Sequence, residues 1–393
     1  MNYKKGISGD IDSEVDTFVH CITGEPETFS IQDGILTHIT ETAPLKENAF
    51  FAGPGLMDLQ VNGIHGIDFN TPTLTQQDLL NATQYLLSKG VTMFYPTIIT
   101  NSDENILQIA QTIQKACGAN SLVNACVGGI HLEGPFISGA DGAVGAHDKK
   151  YTRAPDWELF SRFQRAAGGQ IKLVTLSPEW DGCCEFIEKC RAQGILVSIG
   201  HSIANAEQIK MAVRAGAMMS THLGNGVPLM LPRHPNIIWD QLAADELYAC
   251  IIADGIHIPD SFLKVVMKNK GNRTILVSDA TCFAGLPPGE YQSHIGGAVI
   301  LDEQKRVSLK SIPGILAGAG KTLLEDIEYL VFNKLATLAN AWQMASINIK
   351  KMLDEYSHAA SADINTDLVI FQVNGKEIKV VKTIKNNQVV YEQ

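Results

Sequence analysis

Eight short β-rich apolar runs that alternate with amphipathic helical stretches, and two chain ends without that rhythm, predict an α/β protein: a (β/α)8 TIM-type barrel with a small β-sandwich domain built from both termini. The 393 residues suit this division, because one α/β barrel takes roughly 250 residues and leaves a smaller accessory unit.

Residues 1–52 hold short apolar pieces, Phe18-Val19-His20 and Gly34-Ile35-Leu36, that read as the N-terminal part of the sandwich. The barrel is predicted over 53–357. Its strands are expected at Gly55 to Val61, Val91 to Thr97, Ala125 to His131, Ile171 to Leu176, Ile195 to Ile199, Ala217 to Thr221, Ala249 to Ala253 and Thr274 to Ser278. The clearest helix runs from Asp103 to Cys117, with Ile106, Ile109, Ala110, Ile113 and Cys117 on one stripe, Ser102 capping its start and Gly118 its end. Another begins near Asp260, where Phe262, Leu263, Val266 and Met267 recur at helical spacing. Residues 358–393 complete the sandwich with strands at Asp367 to Phe371, Glu377 to Thr383 and Val389 to Tyr391, joined by turns at Asn374-Gly375 and Asn386-Asn387.

Composition narrows the function classes. A net charge of −11 argues against a nucleic-acid or acidic-lipid footprint, which needs clustered Lys and Arg. The first ten residues, Met1 to Asp10, lack the apolar stretch of a secretory signal, and no segment approaches the ~20 apolar residues of a membrane span, so a cytoplasmic protein is expected. The eight cysteines form no CxxC pair and read as reduced structural thiols; Cys282 stands apart, just after a chemically loaded strand end.

Polar residues gather at the strand C-terminal ends, the face on which barrel enzymes build their sites. The first strand ends Asp58-Leu59-Gln60-Val61-Asn62, so Asp58, Gln60 and Asn62 share a direction. The third ends His131-Leu132-Glu133, the fifth Gly200-His201-Ser202, the sixth Thr221-His222-Leu223, the seventh Asp254-Gly255-Ile256-His257 and the eighth Ser278-Asp279-Ala280. A lone strand His is usually a hydrogen-bonded core residue. One carboxylate and two imidazoles on separate strands, Glu133, His201 and His222, instead suit a divalent metal with a position left for water, while Asp58 and His131 buttress them. Zn2+ is the expected ion, and Fe2+, Co2+ or Mn2+ fit the same donors. Asp279 would be the general base that later protonates the leaving amine.

These segments resemble the successive motifs of N-acetylglucosamine-6-phosphate deacetylases in the amidohydrolase superfamily. The resemblance rests on Pro54-Gly55-Leu56-Met57-Asp58-Leu59-Gln60-Val61-Asn62-Gly63, His131-Leu132-Glu133-Gly134-Pro135-Phe136, Gly145-Ala146-His147, Gly200-His201-Ser202, Thr221-His222-Leu223 and Leu316-Ala317-Gly318, and it spans the barrel from about Phe51 to Thr322. It implies metal ligation by Glu133, His201 and His222, acid/base work by Asp279, and substrate contacts from Gln60, His147, His257, Arg233 and Asn225 with the backbone of Gly226. Arg233 would reach the sugar phosphate of a neighbouring subunit, which implies a homodimer. Where many amidohydrolases carry His-x-His for a second metal, Gln60-Val61-Asn62 stands here, so one metal per subunit is expected. Three departures fall on the substrate side. Leu223-Gly224-Asn225-Gly226 replaces Leu-Phe-Asn-Ala and loses an aromatic wall, Arg233-His234-Pro235-Asn236 replaces Arg-Glu-Pro-Gly, and Leu316-Ala317-Gly318-Ala319 lacks a Ser.

Gly318-Ala319-Gly320-Lys321-Thr322 invites a nucleotide-binding reading, but a P-loop needs its first Gly at the position of Ile315, and Gly314 is one residue early. Ring deaminases usually keep the missing His pair, so a deacetylase of another N-acyl sugar is the stronger rival. A barrel that had lost catalysis would have no chemical need for Glu133, His201, His222 and Asp279 together.

Overall fold

The computed structural model describes residues 15–32, 34–39, 50–293, 297–311, 316–357 and 366–393; the first ten residues, Gly314 and Ile315 lie outside them. Eight parallel strands form the central sheet. They are β5 (Leu56–Val61), β8 (Val91–Ile99), β9 (Ile130–Glu133), β10 (Ile171–Leu176), β11 (Leu196–Ile199), β12 (Met219–Ser220), β13 (Tyr248–Ile251) and β14 (Thr274–Leu276), each hydrogen-bonded to the next. Between β14 and β5 there is no ladder; the single bridge Val61 to Ala280 closes the barrel. Before β5 lie β1 (Val15–His20), β2 (Pro26–Gln32), β3 (Ile35–Ile39) and β4 (Phe51–Pro54), and a two-stranded ribbon, β6 (Gly63–Ile64) and β7 (Ile67–Asp68), follows it.

The helices of the barrel are α1 (Gln76–Ser88), α2 (Asp103–Ala119), α3 (Ser121–Cys126), α4 (Trp157–Ala166), α5 (Cys183–Ala192), α6 (Ala206–Ala215), α7 (Ile237–Ala243) and α8 (Asp260–Lys270), followed by α9 (Leu323–Phe332), α10 (Leu338–Met344) and α11 (Ile347–Ser357). Local chemistry explains several starts. Thr75 makes a capping box with Asp78 at α1, and Thr322 makes one with Glu325 at α9. Ser102 caps α2 as expected, but the helix passes Gly118 and stops at Asn120, whose side chain accepts from Leu122 and Val123 N–H and so starts α3. That cap corrects the third strand: Ala125 and Cys126 are helical, and the strand begins only at Ile130, after Gly129 at φ +157°.

The chain ends meet in one closed antiparallel sheet with a single parallel pairing, in the order β1-β2-β3-β21-β20-β19-β4, where β19 is Leu368–Asn374, β20 Glu377–Lys385 and β21 Gln388–Glu392. Phe18, Phe29, Leu36, Leu368, Ile370 and Ile384 fill it. Asn386 and Asn387 turn its last hairpin with φ of +51° and +61°, the left-handed pair that Asn tolerates. The sheet meets the barrel at Trp342, whose ring stacks on Phe371 at 4.4 Å and whose Nε1 donates to Pro54 O. A Cβ on Gly53 would stand 2.7 Å from that Nε1, so only glycine passes there.

Sequence patterning did not anticipate a four-stranded antiparallel sheet between β14 and α9: β15 (Gly289–Ser293), β16 (Gly297–Leu301), β17 (Arg306–Leu309) and β18 (Leu316–Ala319). Its strands are half exposed and, besides Ala319, bury Val299, Leu301 and Val307 against Phe283, too little apolar alternation to stand out.

Inside the barrel the inward side chains change character with height. Leu173, Leu196, Met219, Tyr248 and Ile275 pack with Ile349 and Met352 of α11. One step up, the Ser198 hydroxyl bonds Thr221 Oγ1 (2.6 Å), Thr221 bonds Thr175 Oγ1 (2.7 Å) and Thr175 bonds His131 Nε2 (2.7 Å), while His131 Nδ1 donates to Leu59 O. The next residues up the same strands are the candidate site.

One buried group is costly. Asp326 of α9 is fully buried, neither carboxylate oxygen has a partner among the described residues, and burial, with Asp254 nearby, holds its pKa well above the usual range. The folded state therefore keeps a proton that the unfolded chain releases, and this group's contribution to stability falls as pH rises through and beyond the normal carboxylate range. Asp326→Asn should match the wild type in thermal melts near pH 4 and melt at a higher temperature than it at pH 8; equal melting at both pH values would contradict this.

Candidate metal centre and catalytic pocket

A cavity of about 730 Å3 opens at the C-terminal ends of the barrel strands. Three residues that aim side chains into it, His201, His222 and Asp279, have positive φ (49°, 29° and 51°), a conformation that costs a non-glycine residue about 1 kcal/mol or more and tends to collect at functional sites. Each follows the end of its strand, β11, β12 or β14, and the left-handed turn redirects the chain there.

At the floor, His222 Nε2 lies 3.0 Å and His201 Nε2 3.2 Å from Glu133 Oε1, and the two nitrogens are 3.0 Å apart. Two imidazole nitrogens and a carboxylate oxygen this close call for positive charge between them. Burial alone would raise the Glu133 pKa, but the His201 and His222 imidazoles against it outweigh that and hold the carboxyl well below its ordinary range. Glu133, His147 and His201 also place ligand atoms within 4.8 Å of one another, so two overlapping triads share Glu133 and His201.

Proton positions separate the triads. His201 Nδ1 donates to Ala143 O at 2.8 Å, so its Nε2 is the unprotonated nitrogen, 3.2 Å from His147 Nε2. His147 Nδ1 instead accepts from the Thr100 N–H (3.3 Å) and meets the Thr100 hydroxyl (2.9 Å), so its Nε2 carries the hydrogen and is a donor. Burial, reinforced by His201, lowers the His147 pKa to about 3 and keeps the ring neutral. Glu133, His201 and His222 are thus the set that fits a divalent cation, with His147 a hydrogen-bond donor beside it. His131 has both nitrogens engaged below this level, and burial depresses its pKa to about 4. Asp58 Oδ1 accepts from Ser278 N–H and lies across the barrel seam.

Asp279 Oδ1 accepts from Asn62 Nδ2 (2.7 Å) and Gln60 Nε2 (2.9 Å), leaving Oδ2 for the cavity. Gln60 Nε2 also donates to Glu133 Oε1 at 3.0 Å. Gln60 is buried, is not among the residues lining the cavity, and ties the two carboxylates together. Burial, then the charge of Glu133, raises the Asp279 pKa to about 6.

Asn225, Gly226 and His257 also line the cavity. His257 Nδ1 donates to Asp254 Oδ2 at 2.7 Å, and Asp254 Oδ1 accepts from the N–H groups of Ile256 and His257. Sequence reasoning passed over Asp254 and Thr100 as partners of histidines; the i, i+3 spacing of Asp254 and His257 was the available signal. At Gly226 the φ of +61° favours glycine, and a Cβ would stand 3.0 Å from His201 Nδ1, tighter than an ordinary contact. At Gly224 the ring of Phe262 of α8 comes within 2.7 Å of where a Cβ would be and fills the space beside the glycine, but Phe262 does not line the cavity. Arg233 is exposed and does not line the cavity, and among the described lining residues there is no Lys or Arg, only Asp68, Glu133 and Asp279 as charged groups besides histidines. Cys282 forms part of the wall, and burial pushes its thiol up to about 12, so it stays protonated. Lys321, of the rejected phosphate-loop match, donates to Asp254 O at 2.7 Å.

No protein-family model matches the chain. It is 31% identical over 341 residues to the N-acetylglucosamine-6-phosphate deacetylase of Bacillus subtilis, covering 86% of this chain and 84% of that protein. Among solved structures it is similar to the N-acetylglucosamine-6-phosphate deacetylase of Thermotoga maritima, with TM-score 0.78, 26% identity and coverage of 96% of this chain and 99% of that one. It shares the fold of the Mycobacterium smegmatis N-acetyl-D-glucosamine-6-phosphate deacetylase, with TM-score 0.80, 23% identity and coverage of 97% and 100%.

Proposed function

Because the chain belongs to the N-acetylglucosamine-6-phosphate deacetylase family, we propose that it hydrolyses N-acetylglucosamine 6-phosphate to glucosamine 6-phosphate and acetate. The observation that carries this reading is the Gln60 amide, which holds the base Asp279 next to Glu133 and the imidazole pair. Glu133, His201 and His222 would hold one divalent cation, Zn2+ by preference, with Fe2+, Co2+ or Mn2+ accepted by the same donors. When bound, the cation supplies Lewis acidity to the amide carbonyl and lowers the pKa of water at the centre.

The chain's own groups do the rest. His147 Nε2–H donates to the carbonyl oxygen and stabilises the negative charge that gathers there as water adds to the carbon. Asp279 Oδ2 takes the proton of the attacking water and delivers it to the nitrogen; the C–N bond breaks, leaving acetate and the amine. His257, fixed through Nδ1 by Asp254, presents Nε2 to the substrate, and Asn225 with the Gly226 backbone makes further substrate contacts. A cavity without Lys or Arg needs a cation for the sugar phosphate, and Arg233 stands exposed beside Leu229 and Met230, which are 92% and 88% exposed. In this reading a second copy covers the apolar tip and Arg233 reaches the neighbouring site, making a homodimer. The barrel unit, 53–357, carries the chemistry, with 1–52 and 358–393 as the flanking β unit. All eight cysteines are free, as suits the cytoplasm, and no helix among the described residues is long and apolar enough to cross a membrane.

The test is acetate release by zinc-loaded protein from N-acetylglucosamine 6-phosphate and from unphosphorylated N-acetylglucosamine. Turnover should require the phosphate, and Arg233→Ala should raise KM about 10-fold or more with a smaller change in kcat. No turnover despite bound metal would reject this substrate and redirect the search to other N-acyl amino sugars.

A further inference from the structure

We propose that the acyl group of the substrate seats between the ends of β5 and β8, and that Ile99 sets the acyl length the enzyme accepts; this rests on the deacetylase reading above. The scissile carbonyl carbon has three substituents, and the site leaves one direction for each. Its oxygen goes to His147 Nε2, which points into the cavity from the β8 and β9 side. Its nitrogen, with the sugar attached, goes toward Asp279 Oδ2 and the wall of Asn225, Gly226 and His257. We place the acyl substituent at the ends of β5 and β8, where Asn62, Asp68, Asn70 and Ile99 line the cavity.

Ile99 is the apolar side chain in that group, and it pairs with Glu133 in the β8–β9 register, level with the reacting centre. Its backbone cannot recede. The Ile99 N–H donates to Asn70 Oδ1 at 2.8 Å, and the Asn70 amide is itself spent on Thr97 O (3.0 Å) and Asn62 O (3.3 Å). The next residue, Thr100, holds His147. A wall fixed on both sides discriminates by side-chain volume, and one methylene in such a pocket typically changes kcat/KM by about 10-fold or more.

The experiment compares kcat/KM for N-acetyl-, N-propionyl- and N-butyrylglucosamine 6-phosphate in the wild type, Ile99→Val, Ile99→Ala and Ile252→Ala, the last a lining residue just after β13, not adjacent to β5 or β8 in the strand order. The expected result is a rise of at least about 10-fold in the butyryl-to-acetyl ratio for Ile99→Ala, a smaller rise for Ile99→Val and none for Ile252→Ala. A general loosening of the site would not change this ratio, because all substrates share it. If Ile99→Ala does not fold, Ile99→Val decides on the propionyl-to-acetyl ratio. Ratios within about two-fold of wild type in the Ile99 variants, or a shift in Ile252→Ala instead, overturn the proposal while leaving the deacetylase reading intact; no wild-type turnover of the acetyl substrate overturns both.

Discussion

Asp279→Asn should lower kcat by about 1,000-fold, near 4 kcal/mol of barrel-borne barrier lowering, with KM changed far less. The substitution keeps an oxygen able to accept from Gln60 and Asn62, so shape is preserved and the proton acceptor alone is lost. The pH profile supplies an independent check. Wild-type activity needs Asp279 ionised, so it falls on the acid side. Burial and Glu133 place the pKa at about 6 without a cation, and positive charge at Glu133, His201 and His222 moves it lower, so the acid limb should lie below pH 6. Residual Asp279→Asn activity should lack that limb. A variant with wild-type kcat, or one that keeps the limb, would remove Asp279 from the mechanism.

Glu133→Ala and His222→Ala should abolish detectable turnover and bound metal together, whereas His147→Asn should keep the metal and lose about 100- to 1,000-fold in kcat, the usual effect of removing one oxyanion donor. Metal content by elemental analysis beside steady-state rates separates the two outcomes. Loss of metal from His147→Asn with retention in His222→Ala would mean that the Glu133, His147 and His201 triad is the binding set. Chelation of the wild type should give the same inactive state, and returning Zn2+ should restore it.

The eightfold strand rhythm and the sandwich built from both ends were legible because buried parallel strands and amphipathic helices leave strong periodic marks. The third strand was misplaced because Asn120, a cap residue, turns the apolar run Leu122 to Cys126 into a helix. The β15–β18 sheet escaped notice because its apolar positions serve a satellite core of four buried residues. At the site, strand ends pointed to Glu133, His201, His222 and Asp279, since carboxylates and imidazoles gather there on several separate strands. Sequence could not say that Gln60 would face two carboxylates rather than the cavity, nor that Thr100 N–H would fix the His147 tautomer. Both depend on side chains meeting across strands, as does Phe262 filling the space beside Gly224.

The missing ladder between β14 and β5 has its own meaning. What joins those strands, besides the Asn62 and Gly63 N–H groups on Ala280 O, is Ser278 N–H on Asp58 and the amides of Gln60 and Asn62 on Asp279. The carboxylate proposed as the base is therefore also a stitch in the barrel wall. In many enzymes a catalytic acid strains its surroundings, and deleting it makes the protein sturdier. Here the two demands coincide, and lineages that dispense with the chemistry would still have reason to keep the residue.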